Sequence, residues 1–359
     1  MTEPSPHPAP SQQPPAKRAP GWLAPALVAS LAVAVTWGIG VTVFRGALVD
    51  RGLPEVVADA TQDQQAQWVY GSQLADLGHQ AAGLATLAET PEISAALTDL
   101  STSLSQGAAL LGELRFEDQG AVALAESYSP EALETLTSAV AALSSSIPSF
   151  EEPDMPRGET LARIAFQINS DARNALSLGD EEQAASLPNA LSAGGGTSDQ
   201  GSVEPPSVAC LTDHQLLEGT NAPEDPALVE SVAFARALDR GYALDYTLQL
   251  NAARSSKSSA KALEQQRIEL NTQLRTLRSA LPDGCADLRS AAYDLPENGL
   301  EALDEAASHA AQDYADALVT AAGNLAGERQ ASVASIATEV LIDQQKALDA
   351  HPLLITASE

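Results

Sequence analysis

Aromatic side chains are scarce in this 359-residue chain, with five Phe, six Tyr and three Trp, or 4% of all positions. Alternating β-branched runs are scarce as well, which argues against a sheet protein. The cores must then be built from Ala and Leu, small enough for helices to approach closely. Only two cysteines occur, Cys210 and Cys285. Two lone thiols so far apart in sequence do not make a zinc site. Cationic side chains number 19 against 48 Asp and Glu, a formal net charge of −29. That balance repels nucleic acid and anionic headgroups. No G-x-S-x-G, C-x-x-C or phosphate-cradling glycine loop is present. Gly194-Gly195-Gly196 is not followed by Lys-Ser, so it reads as linker. Nothing names a reaction or a cofactor, and the chain reads as a non-enzyme.

What is present begins with Trp22 to Phe44, 23 residues without a charge. A helix of that length spans roughly 34 Å, enough to cross a hydrocarbon core of about 30 Å. Lys17 and Arg18 precede it, so the positive-inside rule keeps the N-terminus cytoplasmic and sends later residues outside. Arg45 and Arg51 oppose that orientation without reversing it. The rival reading is a cleaved export signal, whose apolar core is usually about 7–15 residues long. Here the run is longer and ends in Val43-Phe44-Arg45 with no A-x-A pattern. Residues 1–21, with seven prolines in the first 20, read as a disordered tail. Residues 1–45 carry a net +2, leaving −31 for the remainder. Both cysteines lie beyond the apolar run, so an oxidising compartment and one disulfide are expected.

Helical periodicity dominates the rest. Residues 56–182 read as a first bundle of four antiparallel helices. Trp68, Leu74, Leu77, Ala81 and Leu84 mark the first helix. Thr90-Pro91-Glu92 and Ser129-Pro130-Glu131 each supply a cap, a first-turn proline and an acidic first turn. A fourth helix runs from about Arg157 to Leu178, with Leu161, Ile164, Ile168 and Leu176. Residues 187–207 read as a flexible linker. Residues 208–350 read as a second bundle, with helices at about 226–254, 259–281, 299–325 and 327–350. Leu263, Leu270 and Leu277 interleave with Leu274 and Leu281 in a near-heptad seam.

Four long helices with an extended connection between the second and third suit a ferritin-like layout. Several short stretches carry a closer likeness. They are Ala-Leu-Asp-Arg-Gly-Tyr-Ala at 237–243, Ala-Ala-Tyr-Asp-Leu-Pro at 291–296, Ala-Leu-Asp-Glu-Ala-Ala at 302–307 and Tyr-Ala-Asp-Ala-Leu-Val at 314–319. On these, residues 225–350 resemble a family of uncharacterised actinobacterial ferritin-like domains. The resemblance implies a four-helix bundle and raises the question of a di-metal centre. Such a centre needs a Glu from each of two helices and Glu-x-x-His from each of the other two. This domain contains no Glu-x-x-His, so the ligand set reads as lost and no metal is expected.

The residues weighed as exceptions are few. His309 follows Glu305 by four, and Asp76-x-x-His79 has ligand spacing in the first bundle. Helix one of this bundle presents Asp239 and Asp245, and helix two presents Arg267; a buried ion pair, Asp239 with Arg267, is one reading of what replaces the metals, and a hydrated pair at the bundle end is the other. The expected whole is all-α: a single transmembrane helix followed by two extracytoplasmic bundles. Its expected partners are the membrane and another envelope protein, as an accessory subunit of a membrane complex. Two alternatives stand beside it. One is a metal-binding or oxidative-stress role, and the other is a small-ligand pocket near Tyr242, Tyr246 and Tyr314.

Overall fold

The computed structural model describes residues 60–112, 125–150, 152, 155–193, 210–211, 226–285, 289–290, 292–294 and 302–348. The Pro-rich tail and the apolar run at 22–44 lie outside the described residues. Residues 61–359 form one compact unit. Among the described residues every regular element is a helix, as the composition predicts, and no helix is long and apolar enough to cross a membrane.

Helices α1 (Gln62–Leu87) and α2 (Pro91–Leu111) form an antiparallel hairpin. Thr61 opens α1 through a reciprocal capping box with Gln64, and Thr90 caps α2 by accepting from the Ile93 amide. Small residues let the two backbones close in. A Cβ on Gly78 would meet Leu104 Cβ at 3.3 Å. Ser101 Oγ donates to the Gly78 carbonyl at 2.9 Å, and Ser94 Oγ to that of Ala85 at 2.8 Å. These bonds fix the register of the hairpin. Helix α3 (Pro130–Ser144) packs on α1, and α4 (Gly158–Ser177) packs on both α2 and α3. The four helices close a ring around Leu74, Leu97, Leu100, Leu104, Leu133 and Ile168.

A short α5 (Glu181–Ser186) follows, capped by Asp180. The segment read as linker starts at Leu187, and its described part, 187–193, is packed. Ala190 and Leu191 are buried, and the Leu191 and Ala193 amides donate to the Ser144 and Ser145 carbonyls at 3.0 Å. Leu191 holds φ at +55°, a conformation L-residues adopt at some cost. Residues 194–207 lie outside the described residues.

The second core contains α6 (Pro226–Arg254), α7 (Lys257–Ser279), α8 (Leu303–Asn324) and α9 (Gly327–Leu348). Helix α6 packs on α7 and α8, and α9 packs on α8. Gly241 lets α6 cross both neighbours, since a Cβ there would meet Leu274 at 2.5 Å and Tyr314 at 2.9 Å. Helix α4 enters this core too, contributing Ala162, Ala165 and Phe166. It runs antiparallel to α8, with Gly158 against Gly323 and Arg163 paired to Asp316. One helix therefore belongs to both cores, its Leu161–Ile164–Ile168 face turned to the first.

Candidate functional site

The ligand-type residues stay at the surface. His309 Nε2 lies 3.9 Å from Glu305 Oε1, one turn apart on α8, and both side chains are 67% exposed. On α1, Asp76 is half-buried and His79 exposed. Among the described residues, no three His, Cys, Asp or Glu side chains gather where an ion would sit.

The expected pair of Asp239 with Arg267 is corrected. Arg267 Nε donates to Asp245 Oδ1 at 3.0 Å, and Nη1 donates to Glu264 at 3.0 Å. Asn271 Nδ2 also donates to Asp245, at 3.0 Å. Asp239 and Asp245 are six residues apart, so they leave α6 on different faces, and the register with α7 selects the second. Burial alone would lower the Arg267 pKa. The bond and charge of Asp245, then Glu264, outweigh it and raise the pKa. The paired side chains are 19% and 13% exposed. Arg267→Met leaves Asp245 half-buried with only Asn271, so a loss of about 1–2 kcal/mol is expected in denaturant unfolding. Adding Asp245→Leu restores most of that loss, because the stranded charge goes with its partner.

Asp239 faces the connection between α7 and α8 instead. It is buried, and the Tyr293 hydroxyl bonds to it while accepting from the Ser290 amide at 3.2 Å. Burial chiefly, with the Asp239 charge added, pushes the Tyr293 pKa up to about 12. The Arg289 guanidinium lies 4.3 Å over the ring of Tyr242, and Tyr246 meets Tyr293 with ring centroids 6.0 Å apart. Cys210 and Cys285 are disulfide-bonded, with Cα atoms 5.2 Å apart. Next to Cys210, Leu211 packs on Val232 and Ala235 of α6. Disulfide, cation–π contact and tyrosine bond together hold the described parts of the long connection against α6.

The three tyrosines weighed as a ligand pocket are packed. Tyr242 lies under Arg289 and Tyr246 against Tyr293, while Tyr314 is fully enclosed where α6, α7 and α8 cross. Among the described residues the Tyr314 hydroxyl has no hydrogen-bond partner, and burial raises its pKa.

A second polar cluster lies on α4, where the sequence pattern gave no warning. Arg173 spends four of its five N–H donors inside the fold. Nε donates to Asn169 Oδ1 at 2.9 Å, Nη1 to the Ala184 carbonyl at 3.0 Å, and Nη2 to Asn189 Oδ1 at 2.8 Å and to the Leu187 carbonyl. Two of these acceptors are the carbonyls that close α5. Burial lowers the Arg173 pKa. Arg173→Ala removes all four bonds, and a loss of about 2–3 kcal/mol is expected, with faster amide exchange concentrated in α5. A small cleft beside Arg173, walled by Phe166, Ser170, Thr338 and Leu341, holds little more than a water molecule.

No protein family, curated protein or solved structure was found to match this chain.

Proposed function

We propose that this protein is an anchored extracytoplasmic scaffold that works through protein contacts in the cell envelope and catalyses nothing itself. The observation that carries the reading is the Cys210–Cys285 disulfide, a bond kept by oxidising compartments and rare in the cytosol. It lies beyond a 23-residue run free of charge, which is long enough for a single span with the N-terminus inside. The described polar side chains support the same reading. Arg173, Arg267 and Tyr293 are committed to holding helices together rather than to an open cleft.

Within that reading, α6–α9 are a ferritin-like scaffold without a di-metal centre. Support comes from the helix order, the long connection after α7, and the clasp in which Tyr293 bonds to Asp239, both within the stretches that carry the family likeness. The test is extraction of the full-length protein in mild detergent without reductant. A partner subunit that co-purifies through high-salt washing, and is lost when residues 61–359 are deleted, supports the scaffold. Stoichiometric iron or manganese, bound after anaerobic purification and lost with His309→Ala, would replace it with the metal reading.

A further inference from the structure

Contacts between named residues level the helices against one another. Ser101 faces Gly78 across the hairpin, and Ile164 of α4 lies 2.9 Å from where a Cβ on Gly107 of α2 would stand. Gly158 meets Gly323 and Arg163 pairs with Asp316, which sets α8 against α4. Asn251 donates to Asp304 at 2.8 Å, and Gly241 faces Leu274 and Tyr314, which sets α6 and α7. Gln330 donates to the Ala322 carbonyl at 2.9 Å and Gln344 to that of Ala311, which sets α9. One end therefore gathers the starts of α1, α4, α6 and α9 with the ends of α2, α7 and α8. The connection from α3 to α4 reaches it too, where the Glu152 amide donates to Asp63 at 3.0 Å.

Charge is divided unequally between that end and the other. The halves on its side are residues 61–75, 100–112, 145–165, 226–240, 273–285 and 314–330. Their described residues hold eight Asp and Glu against seven Arg, a net of −1. The opposite halves are residues 76–99, 125–144, 166–193, 241–272, 303–313 and 331–344. These hold 19 Asp and Glu against five Lys and Arg, a net of −14. Four of those five cations, Arg254, Lys257, Lys261 and Arg267, sit around the turn from α6 to α7, whereas acid occurs on every helix of that half. On the near side, 64–75 and 100–112 carry no charge at all.

We infer that the neutral end faces the bilayer and meets its lipid headgroups, while the acidic end points away. The inference rests on the reading of Trp22 to Phe44 as a membrane anchor. Sixteen residues separate Phe44 from Thr61, a stretch that reaches at most about 60 Å. Helix α1 alone is about 39 Å long, so the tether permits either end to face the surface. Electrostatics selects between them. A bilayer containing anionic lipid repels acidic groups within about 8 Å of its headgroups at physiological ionic strength. An inverted body would carry its −14 half into that layer, and the upright one carries an end close to neutral. The exposed Arg157 before α4 adds attraction there. Gln62, Asp63, Gln64 and Gln65 open α1, so the contact is with headgroups and not with hydrocarbon.

The test reconstitutes the full-length protein in vesicles of phosphatidylcholine and phosphatidylglycerol, with a diazirine-bearing side chain at one exposed position at a time. Positions Gln62 and Ala66 mark the neutral end, and Leu87 and Leu178 the acidic one. The expected result is a light-dependent yield of lipid adducts at 62 and 66 about five-fold or more above that at 87 and 178. Arg157→Glu combined with Gln65→Glu lowers the yield at 62 in these vesicles and leaves it unchanged in phosphatidylcholine alone. Equal yields at the two ends, higher yields at 87 and 178, no adduct at any position, or yields indifferent to the charge variant would overturn the inference. Flotation of the same vesicles after an alkaline wash tests the anchor separately. A chain that floats yet gives one of those outcomes keeps the anchor and loses the orientation. A chain washed off the vesicles loses the anchor, and the orientation with it.

Discussion

Gly323→Val is expected to cost about 3 kcal/mol, at the upper end of the penalties for overpacking. A Cβ at position 323 would lie 2.7 Å from the Gly158 carbonyl carbon and 2.9 Å from Ala162 Cβ. The obstruction is backbone, so no rotamer change relieves it. Helices α4 and α8 must separate, and with them the two cores that α4 joins. The expected signature is a lower Tm together with loss of a single transition, because the cores then unfold at different temperatures. Circular dichroism at 222 nm, followed against temperature on the full-length protein, reads both. Gly179→Ala is the control, because a Cβ there meets nothing closer than 3.7 Å. It should be neutral or slightly stabilising. An unshifted single transition in Gly323→Val would show that the α4–α8 crossing is not the joint between the cores.

Cys285→Ser is expected to cost about 4 kcal/mol, from the entropy that a cross-link over 75 residues removes from the unfolded chain. In the folded chain the bridge also keeps Cys210 and its neighbour Leu211 on α6, beside Val232 and Ala235. Reducing the native protein should reproduce the Cys285→Ser midpoint, and reductant should add nothing to the variant. Amide exchange should rise first at Tyr293, whose bond to Asp239 depends on a connection no longer tied at its start. Equal midpoints with and without reductant would mean the bridge adds nothing to stability.

Helix positions were largely legible from the sequence. Thr90-Pro91 and Ser129-Pro130 cap and open α2 and α3 as their chemistry predicts, and α6 runs over the expected 226–254. Helix α5 went unread, although Asp180 followed by Glu181-Glu182 is a cap with an acidic first turn. The double duty of α4 was half visible. Leu161, Ile164 and Ile168 gave one apolar face, but Ala162, Ala165 and Phe166 give another. A helix apolar on two sides is buried on two sides. The partner of Arg267 was not legible, because choosing Asp245 over Asp239 depends on how α6 and α7 slide past each other. Periodicity fixes the face of each helix but not that relative register. The same limit hid Arg173, three of whose four acceptors lie eleven to sixteen residues away, in α5 and the segment after it.

The central claim is that the disulfide-bonded body lies outside the membrane and is held there by the run at Trp22 to Phe44. The most direct measurement is the state of Cys210 and Cys285 in intact cells, combined with protease shaving. Cells would be quenched with a membrane-permeant thiol reagent, and the full-length chain examined without reductant. The account predicts that neither cysteine is alkylated, that the chain stays in washed membranes, and that external protease removes residues 61–359 while sparing a tagged N-terminus. Two alkylated cysteines in a chain recovered from the soluble fraction, and untouched by external protease, would contradict it.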